Sequence, residues 1–532
     1  MKHNATTFSW MGALTLMVFV LFNTGCSKDF LDRDPYIGSS AGNFYRTAED
    51  AEAATIACYA PLQVEISDGA HFRWYFGDIV SDDADKGGSG DTDEPDLLEF
   101  EGFNGDPSSG IVLGEWKTAY KGITYCNLAL ENIPGIDMDE FTKLAYLGEA
   151  QFLRAFWYFN LVTTFGGVPL VTKPLAPSEY AQPRAEEGEI WDQIVADLEA
   201  AAVNLPLKSA YSTSQTGRAT RGAANALLAK AYLYMGNNWT ECRSRCEEVV
   251  GSGEYFLDPN YGDIFTEAGE NGPGSIWEIQ YANNSGGNWG AQFWSEGTYT
   301  NVFQRARGTF SGYGFNLPTQ DFVDEFEVWE EQNDSGVVEM EDPRLDYTVY
   351  AVGDNASDWG TITTDATGMT SAYYPRKYFN PASELAPFGD PNPNGGSNDR
   401  VIRLADVLLM HAESCHRSGD DAAAIASLNL VRERAGVLAV KEGTANAVQF
   451  ENAEGQVINL AGLSGRSLLD VIFHERRVEL GLEGHRFFDL VRQGRAAEVL
   501  EGFTVDKNEL FPIPTAEITL SNGQLTQNPG YE

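Results

Sequence analysis

The run from His474 to Arg492, HERRVELGLEGHRFFDLVR, gathers the residue types that acid–base chemistry uses: two histidines, four arginines and four carboxylates within nineteen positions. A catalytic acid or base needs one such group poised beside a reacting atom. The spacing here argues for a different use. Leu468, Ile472, Glu475, Glu479 and Leu482 fall on one helical face, so two carboxylates share a stripe with three large aliphatics. At i,i+3 spacing Arg476 reaches Glu479, and Arg477 offers a second guanidinium nearby. Buried charge is costly unless it is paired and hydrogen-bonded, so the run predicts an internal ion-pair lattice between packed helices. Gly481 and Gly484 allow a turn, after which Phe487, Leu490 and Val491 form the apolar face of a second helix.

Other candidate chemistry is thinner. The chain has no GxSxG elbow, HExxH metal motif, P-loop or dinucleotide fingerprint. Its 78 acidic residues make a carboxylate pair suited to glycoside hydrolysis available almost anywhere, so such a pair discriminates nothing. His411, Cys415 and His416 lie close together, but His411 belongs to the apolar stripe of a helix and reads as a packed core histidine. Cys242 and Cys246 are one helical turn apart without a histidine pair, which favours buried thiols over a metal site. Asp82, Asp83 and Asp85 read as a solvated acidic turn, with Ca²⁺ binding as the alternative. The sequence therefore predicts a protein that is not an enzyme and needs no cofactor.

Binding chemistry has better material. Sugars present flat apolar C–H faces beside hydroxyls, so their sites combine aromatic platforms with Asp, Asn, Arg and Gln. Two stretches have that mixture. The first, His71 to Lys86, carries Arg73, Trp74, Tyr75 and Asp78; the second, Tyr281 to Phe315, carries Asn288, Trp289, Trp294, Tyr299 and Tyr313. Packing of loop against helix is the competing role for each ring, and Trp116, Trp157 and Trp191 sit on helices as core residues.

Long amphipathic helices must position these loops. The pattern predicts helices over Phe141 to Thr164, Ile190 to Asn204, Arg218 to Met235, around Thr240 to Val250, from Leu404 through Cys415 and over Ala422 to Ala435, with the opening run supplying a final pair. Small residues where helices cross, without a strict repeat length, resemble degenerate tetratricopeptide units. Residues 261–400 differ: they are rich in Gly, Asn, Asp, Tyr and Trp, and Ser275 to Tyr281 alternates like a short strand. The expected fold is predominantly α, a tetratricopeptide-like α-hairpin scaffold with a loop-rich region carrying a few short strands. Its parts are an N-terminal helical region, 26–260, and a C-terminal region, 261–532, that is loop-rich over 261–400 and helical over 401–500.

At the N-terminus, Lys2 and His3 precede an apolar stretch from Met11 to Phe22 that is too short to span a bilayer. It ends in Asn23-Thr24-Gly25-Cys26, similar to a bacterial lipobox, which makes 1–25 a signal peptide and Cys26 the lipidated residue. An ordinary signal peptide cleaved elsewhere is the alternative. A formal net charge of −42 argues against nucleic acid as a partner.

Beyond these physical readings, the run from His474 to Arg492 resembles the C-terminal signature of SusD/RagB proteins, the outer-membrane nutrient-binding lipoproteins of Bacteroidetes. Similar blocks recur at Gly148 to Val171, Arg218 to Gly236, Arg403 to Glu413, Leu428 to Gly436 and Leu510 to Tyr531, in the order the family has them. The resemblance implies four helical pairs and a cell-surface lipoprotein that binds oligosaccharide or polysaccharide. It further implies delivery of that ligand to a SusC-like TonB-dependent outer-membrane transporter. The family's signature implies where ligand loops lie but assigns no ligand residue. A family member binding peptides or another nutrient, and an extracellular glycoside hydrolase, are the alternatives.

Overall fold

A computed structural model of the chain describes residues 44–282, 297–307, 312–333, 336–356, 360–363, 370–379, 395–443 and 447–532. The signal segment and Cys26 lie outside these residues. Among the described residues no helix is long and apolar enough to cross a membrane.

Helix α1 (Ala48–Tyr59) leads into the main helical series: α2 (Gly110–Asn132), α3 (Glu140–Phe165), α4 (Glu187–Asn204), α5 (Arg221–Met235) and α6 (Trp239–Val250). After a long excursion the series resumes with α7 (Leu404–Arg417), α8 (Asp421–Ala435), α9 (Leu468–Leu480) and α10 (Arg486–Arg492). Each member from α2 to α6 packs on the next, α6 packs on α7, and α7 packs on both α8 and α9. The predominantly α expectation and the layer of successive helical pairs are therefore met. Polar caps set several starts: Ser109, Asp139, Thr220, Asp420 and Ser467 each accept a backbone N–H of the first turn. The predicted boundaries hold to within a few residues, because the apolar periodicity and the caps agree.

Among its described residues the excursion carries short strands in small ladders and a few helices of one turn or so. Strand β1 (Ala84–Gly87) pairs with β3 (Phe315–Pro318), β2 (Ser275–Ile279) with β8 (Asp399–Arg403), β4 (Val328–Asn333) with β5 (Gly336–Glu341), and β6 (Val349–Ala351) with β7 (Tyr373–Pro375), all antiparallel. The β2–β8 ladder closes the excursion at its base, since β8 runs directly into α7. Every residue of β2 is buried, so the alternation read in Ser275 to Tyr281 marks two covered faces rather than one open face.

The charged run is the lattice that its spacing predicts, on a larger scale. Glu475 binds Arg432 at 2.6 Å and also Arg344; Glu479 binds Arg344 at 3.1 Å, Arg403 at 3.0 Å and Arg434 at 2.5 Å. Arg432 continues to Glu327 at 2.7 Å, and Arg344 to Asp342 at 2.7 Å. His474 sits between Glu325 at 2.8 Å and Glu327 at 3.1 Å. Burial alone would raise the Glu479 carboxyl, yet Arg434, Arg403 and Arg344 hold it well below the usual range. Burial likewise disfavours the His474 cation, but its two carboxylate partners hold its pKa up at about 9. Two details differ from expectation. Arg476 pairs with Asp406 and Asp489 rather than with Glu479, because its side chain leaves the Glu475/Glu479 face toward α7 and α10. In the turn after α9 the left-handed positions are Leu482 (φ 64°) and Gly484 (φ 75°), not Gly481.

Candidate functional site

The two aromatic stretches read from the sequence meet in space. The β1–β3 ladder sets Ala84 opposite Pro318 and Gly87 opposite Phe315, and Gly88 N–H donates to the Gly314 carbonyl at 2.8 Å. Behind this ladder the rings interlock. Phe72 stacks on Trp74 with centroids 5.1 Å apart, Trp74 meets Tyr75 edge-on at 4.4 Å, and Phe303 touches Phe72, Tyr313 and Phe315 within 5.6 Å. Trp74 Nε1–H donates to Thr300 Oγ1 at 3.3 Å, tying the first stretch to the second.

Glu65 joins the second stretch to the helical body. Its carboxylate accepts from Thr298 Oγ1 and from the Tyr299 N–H, both at 2.6 Å, and from the Tyr281 hydroxyl at 3.3 Å. Residues 281 and 298–299 bracket the span that carries Trp289 and Trp294. Burial pushes the Glu65 carboxyl up to about 7.

Among the described residues the outer rim of the junction is polar. Lys86 Nζ donates to the carbonyls of Gly90 (3.0 Å) and Asp93 (2.5 Å), which folds the acidic segment Ser89 to Glu94 over β1. Asp93 accepts from Ser89 N–H at 2.8 Å and from Arg307 Nη1 at 3.4 Å, and Arg307 also donates to the Tyr313 carbonyl at 2.7 Å. Arg307, Tyr313, Asp93 and Glu94 are half-buried, whereas Ser89, Asp91 and Thr92 are exposed. A half-open tyrosine ring backed by Phe303 and flanked by carboxylates and a guanidinium has the donors, acceptors and apolar face that a carbohydrate requires.

The individual candidates fall as follows. Trp74, Tyr75 and Tyr299 are 5%, 1% and 6% exposed, so they form the layer beneath the rim and offer no open face for stacking. Asp78 is fully buried, accepting from Gly484 N–H at 2.8 Å and from Asn316 Nδ2 at 3.4 Å. The structure thus places these four beneath the rim, where the closed ladder covers them, with Trp74 also on the wall of an interior pocket. Arg73 lies with its guanidinium 3.8 Å over the Phe488 ring, facing inward. Asn288, Trp289 and Trp294 lie outside the described residues. Glu65, Asp93 and Arg307 were not singled out from the sequence, where they look like ordinary surface charges; only the three-dimensional pairing distinguishes them.

The acidic turn is neither solvated nor a calcium loop. Asp82 binds Arg486 through both oxygens at 2.7 and 2.8 Å, and Asp83, fully buried, binds Arg477 at 2.7 Å. Cations of the charged run thus neutralise the base of the aromatic segment. His411 packs on Ser427 Oγ at 2.7 Å beside the buried Cys415. No group of three or more His, Cys, Asp or Glu among the described residues is arranged to hold a metal ion.

Residues 273–531 match the profile described as the SusD family, and residues 106–233 match one described as "Starch-binding associating with outer membrane". A SusD-like protein of Formosa agariphila is 28% identical over 544 residues, covering 95% of each chain. Among solved structures, a laminarin binding SusD-like protein is 31% identical, with a TM-score of 0.76 over 92% of this chain and 100% of that one. Surface glycan-binding protein A from Bacteroides thetaiotaomicron, solved in complex with laminarihexaose, is 25% identical, with a TM-score of 0.73 over 91% and 99% of the two chains.

Proposed function

The chain belongs to the SusD family, and from that premise we propose that it is a cell-surface glycan-binding protein that captures oligosaccharide without cleaving it. The observation that carries this reading is the likeness to a laminarin binding SusD-like protein along nearly the whole chain. The junction of the two aromatic stretches supports it. Laminarin-type glucan is the first ligand to test.

In this reading the rim residues Tyr313, Arg307 and Asp93 contact the sugar, with Trp289, Trp294 and Asn288 as further contacts from the same stretch. The Trp74 layer and Glu65 hold that surface in place. Capture is an equilibrium in which stacking and hydrogen bonds gather ligand, and among the described residues of the rim Asp93 is engaged by Ser89 and Arg307 rather than poised as a nucleophile. Lipidation at Cys26 anchors the protein to the outer membrane, and a SusC-like TonB-dependent transporter receives the ligand.

The test is calorimetric titration of purified protein with a glycan panel headed by laminarin oligosaccharides, with a parallel assay for newly released reducing ends. Saturable binding without release supports the proposal. Release of reducing sugar, or binding of peptides and of no glycan, refutes it.

A further inference from the structure

The β4–β5 hairpin springs from the charged lattice. Glu327, one residue before β4, binds Arg432 and His474, and Asp342, one residue after β5, binds Arg344. Its pairs run from Val328–Glu341 to Asn333–Gly336 without a register shift, so the ladder has no bulge. Among the described residues β5 pairs with β4 alone.

The register fixes which backbone groups face outward. Asp342 N–H donates to the Glu327 carbonyl at 2.8 Å, which makes these two a hydrogen-bonded pair. Antiparallel pairs alternate, so Val337, Glu339 and Glu341 occupy the non-hydrogen-bonded positions and turn their N–H and C=O groups away from β4. Among the described residues no other backbone group meets them, and every residue of β5 after Gly336 is exposed.

A free edge is usually blunted by a bulge, a proline or a lysine, and the hairpin has none of these. It exposes apolar side chains on both faces instead. Val337 is 61% exposed, and Val338 and Met340, on the face of Trp329, are 37% and 36% exposed. Between Val328 and Glu341 lie five carboxylates and no cation, with Glu339 and Glu341 on the face of Val337.

That charge selects the occupant. A second copy pairing edge to edge would set glutamates against glutamates, which destabilises cross-strand neighbours. A strand carrying Lys or Arg beside Glu339 and Glu341, and Val or Thr beside Val338 and Met340, complements both faces and the open backbone. We infer that β5 is a docking edge for an extended basic segment of a partner protein, in which Lys or Arg alternates with β-branched residues. The segment adds to the hairpin as a third strand.

A fluorescent peptide alternating Lys with Val and Thr tests this. It should bind the purified protein saturably, more weakly as NaCl rises, and should slow amide hydrogen exchange across Gly336–Glu341. The same peptide N-methylated throughout keeps the charge, loses every N–H donor and should not bind. Glu339→Gln, which removes one charge, should lower affinity a few-fold. Glu339→Pro, which also removes an outward N–H while sparing the bonds to β4, should lower it by about tenfold or more. Absence of binding, equal binding of the N-methylated peptide, unchanged exchange across Gly336–Glu341, or wild-type affinity in Glu339→Pro overturns the assignment. If Glu339→Pro does not fold, the exchange measurement on the unaltered protein decides.

Discussion

The carboxylate of Asp78 accepts the backbone N–H of Gly484 at 2.8 Å, joining two residues 406 positions apart. Through this contact the turn after α9 holds the aromatic segment from beneath, together with the Asp82–Arg486 and Asp83–Arg477 pairs. The charged signature and the aromatic layer are one assembly: the lattice anchors from beneath the segment that carries the proposed rim.

Asp78 gives that assembly a pH dependence. Burial, and then the charge of Asp83, push its carboxyl up to about 8. A folded pKa above the unfolded one means that its contribution is fully present below about pH 4 and is lost as pH rises through about 8. Chemical denaturation of Asp78→Asn, which cannot ionise, should show a shallower decline in stability than the wild type across that window. Parallel declines would remove Asp78 as the cause.

His474 acts in the same direction through the opposite charge type. Its pKa, held at about 9 by Glu325 and Glu327, makes its stabilisation complete below about pH 6.5 and lost as pH rises through 9. The stability gap between wild type and His474→Gln should therefore be widest near neutrality and narrow toward pH 10. A constant gap would contradict the clamp.

Close backbone approach at the same turn predicts a sharp contrast between two glycines. A Cβ on Gly77 would lie 2.1 Å from the Gly484 carbonyl oxygen, whereas one on Gly188, in the first turn of α4, meets nothing within 4 Å. Gly77→Ala should lower stability by about 3 kcal/mol or prevent folding. Gly188→Ala should be neutral or stabilising by up to about 1 kcal/mol. Thermal melts of the two variants distinguish these outcomes.

Breaking the lattice from one side leaves an unpaired buried charge. Arg432→Ala strips Glu327 and Glu475 of a shared partner and should cost about 3–5 kcal/mol. Replacing the exposed Lys173 of the Lys173–Glu179 pair should cost well under about 1 kcal/mol. Equal effects in urea titrations would show that burial does not govern these pairs.

Much of the scaffold was legible because helical periodicity and polar caps are local. The lattice was legible in kind, since Glu475 and Glu479 share a face with aliphatics, but not in its partners. Arg344, Arg403 and Arg432 come from three other segments, and no spacing rule connects them to α9. The aromatic stretches were found by composition, which says where rings are plentiful and not which faces stay open. That is why Trp74 and Tyr75 were expected at the surface and lie beneath it. Glu65 carries no sequence signal at all; its role exists only because Thr298 and Tyr299 fold back onto it.

The rim assignment predicts that Tyr313→Ala and Arg307→Ala each weaken glycan affinity by about tenfold, the effect of losing one stacking or charged hydrogen-bond contact, with a lower melting temperature from the lost packing on Phe303 and the lost Arg307 bonds but a cooperative transition retained. The most direct test of the account is calorimetric titration of wild type and Tyr313→Ala with laminarin oligosaccharides. The account predicts saturable binding by the wild type, weakened in the variant, with no release of reducing ends. Absence of binding to every glycan of the panel, or cleavage of the ligand, would contradict it.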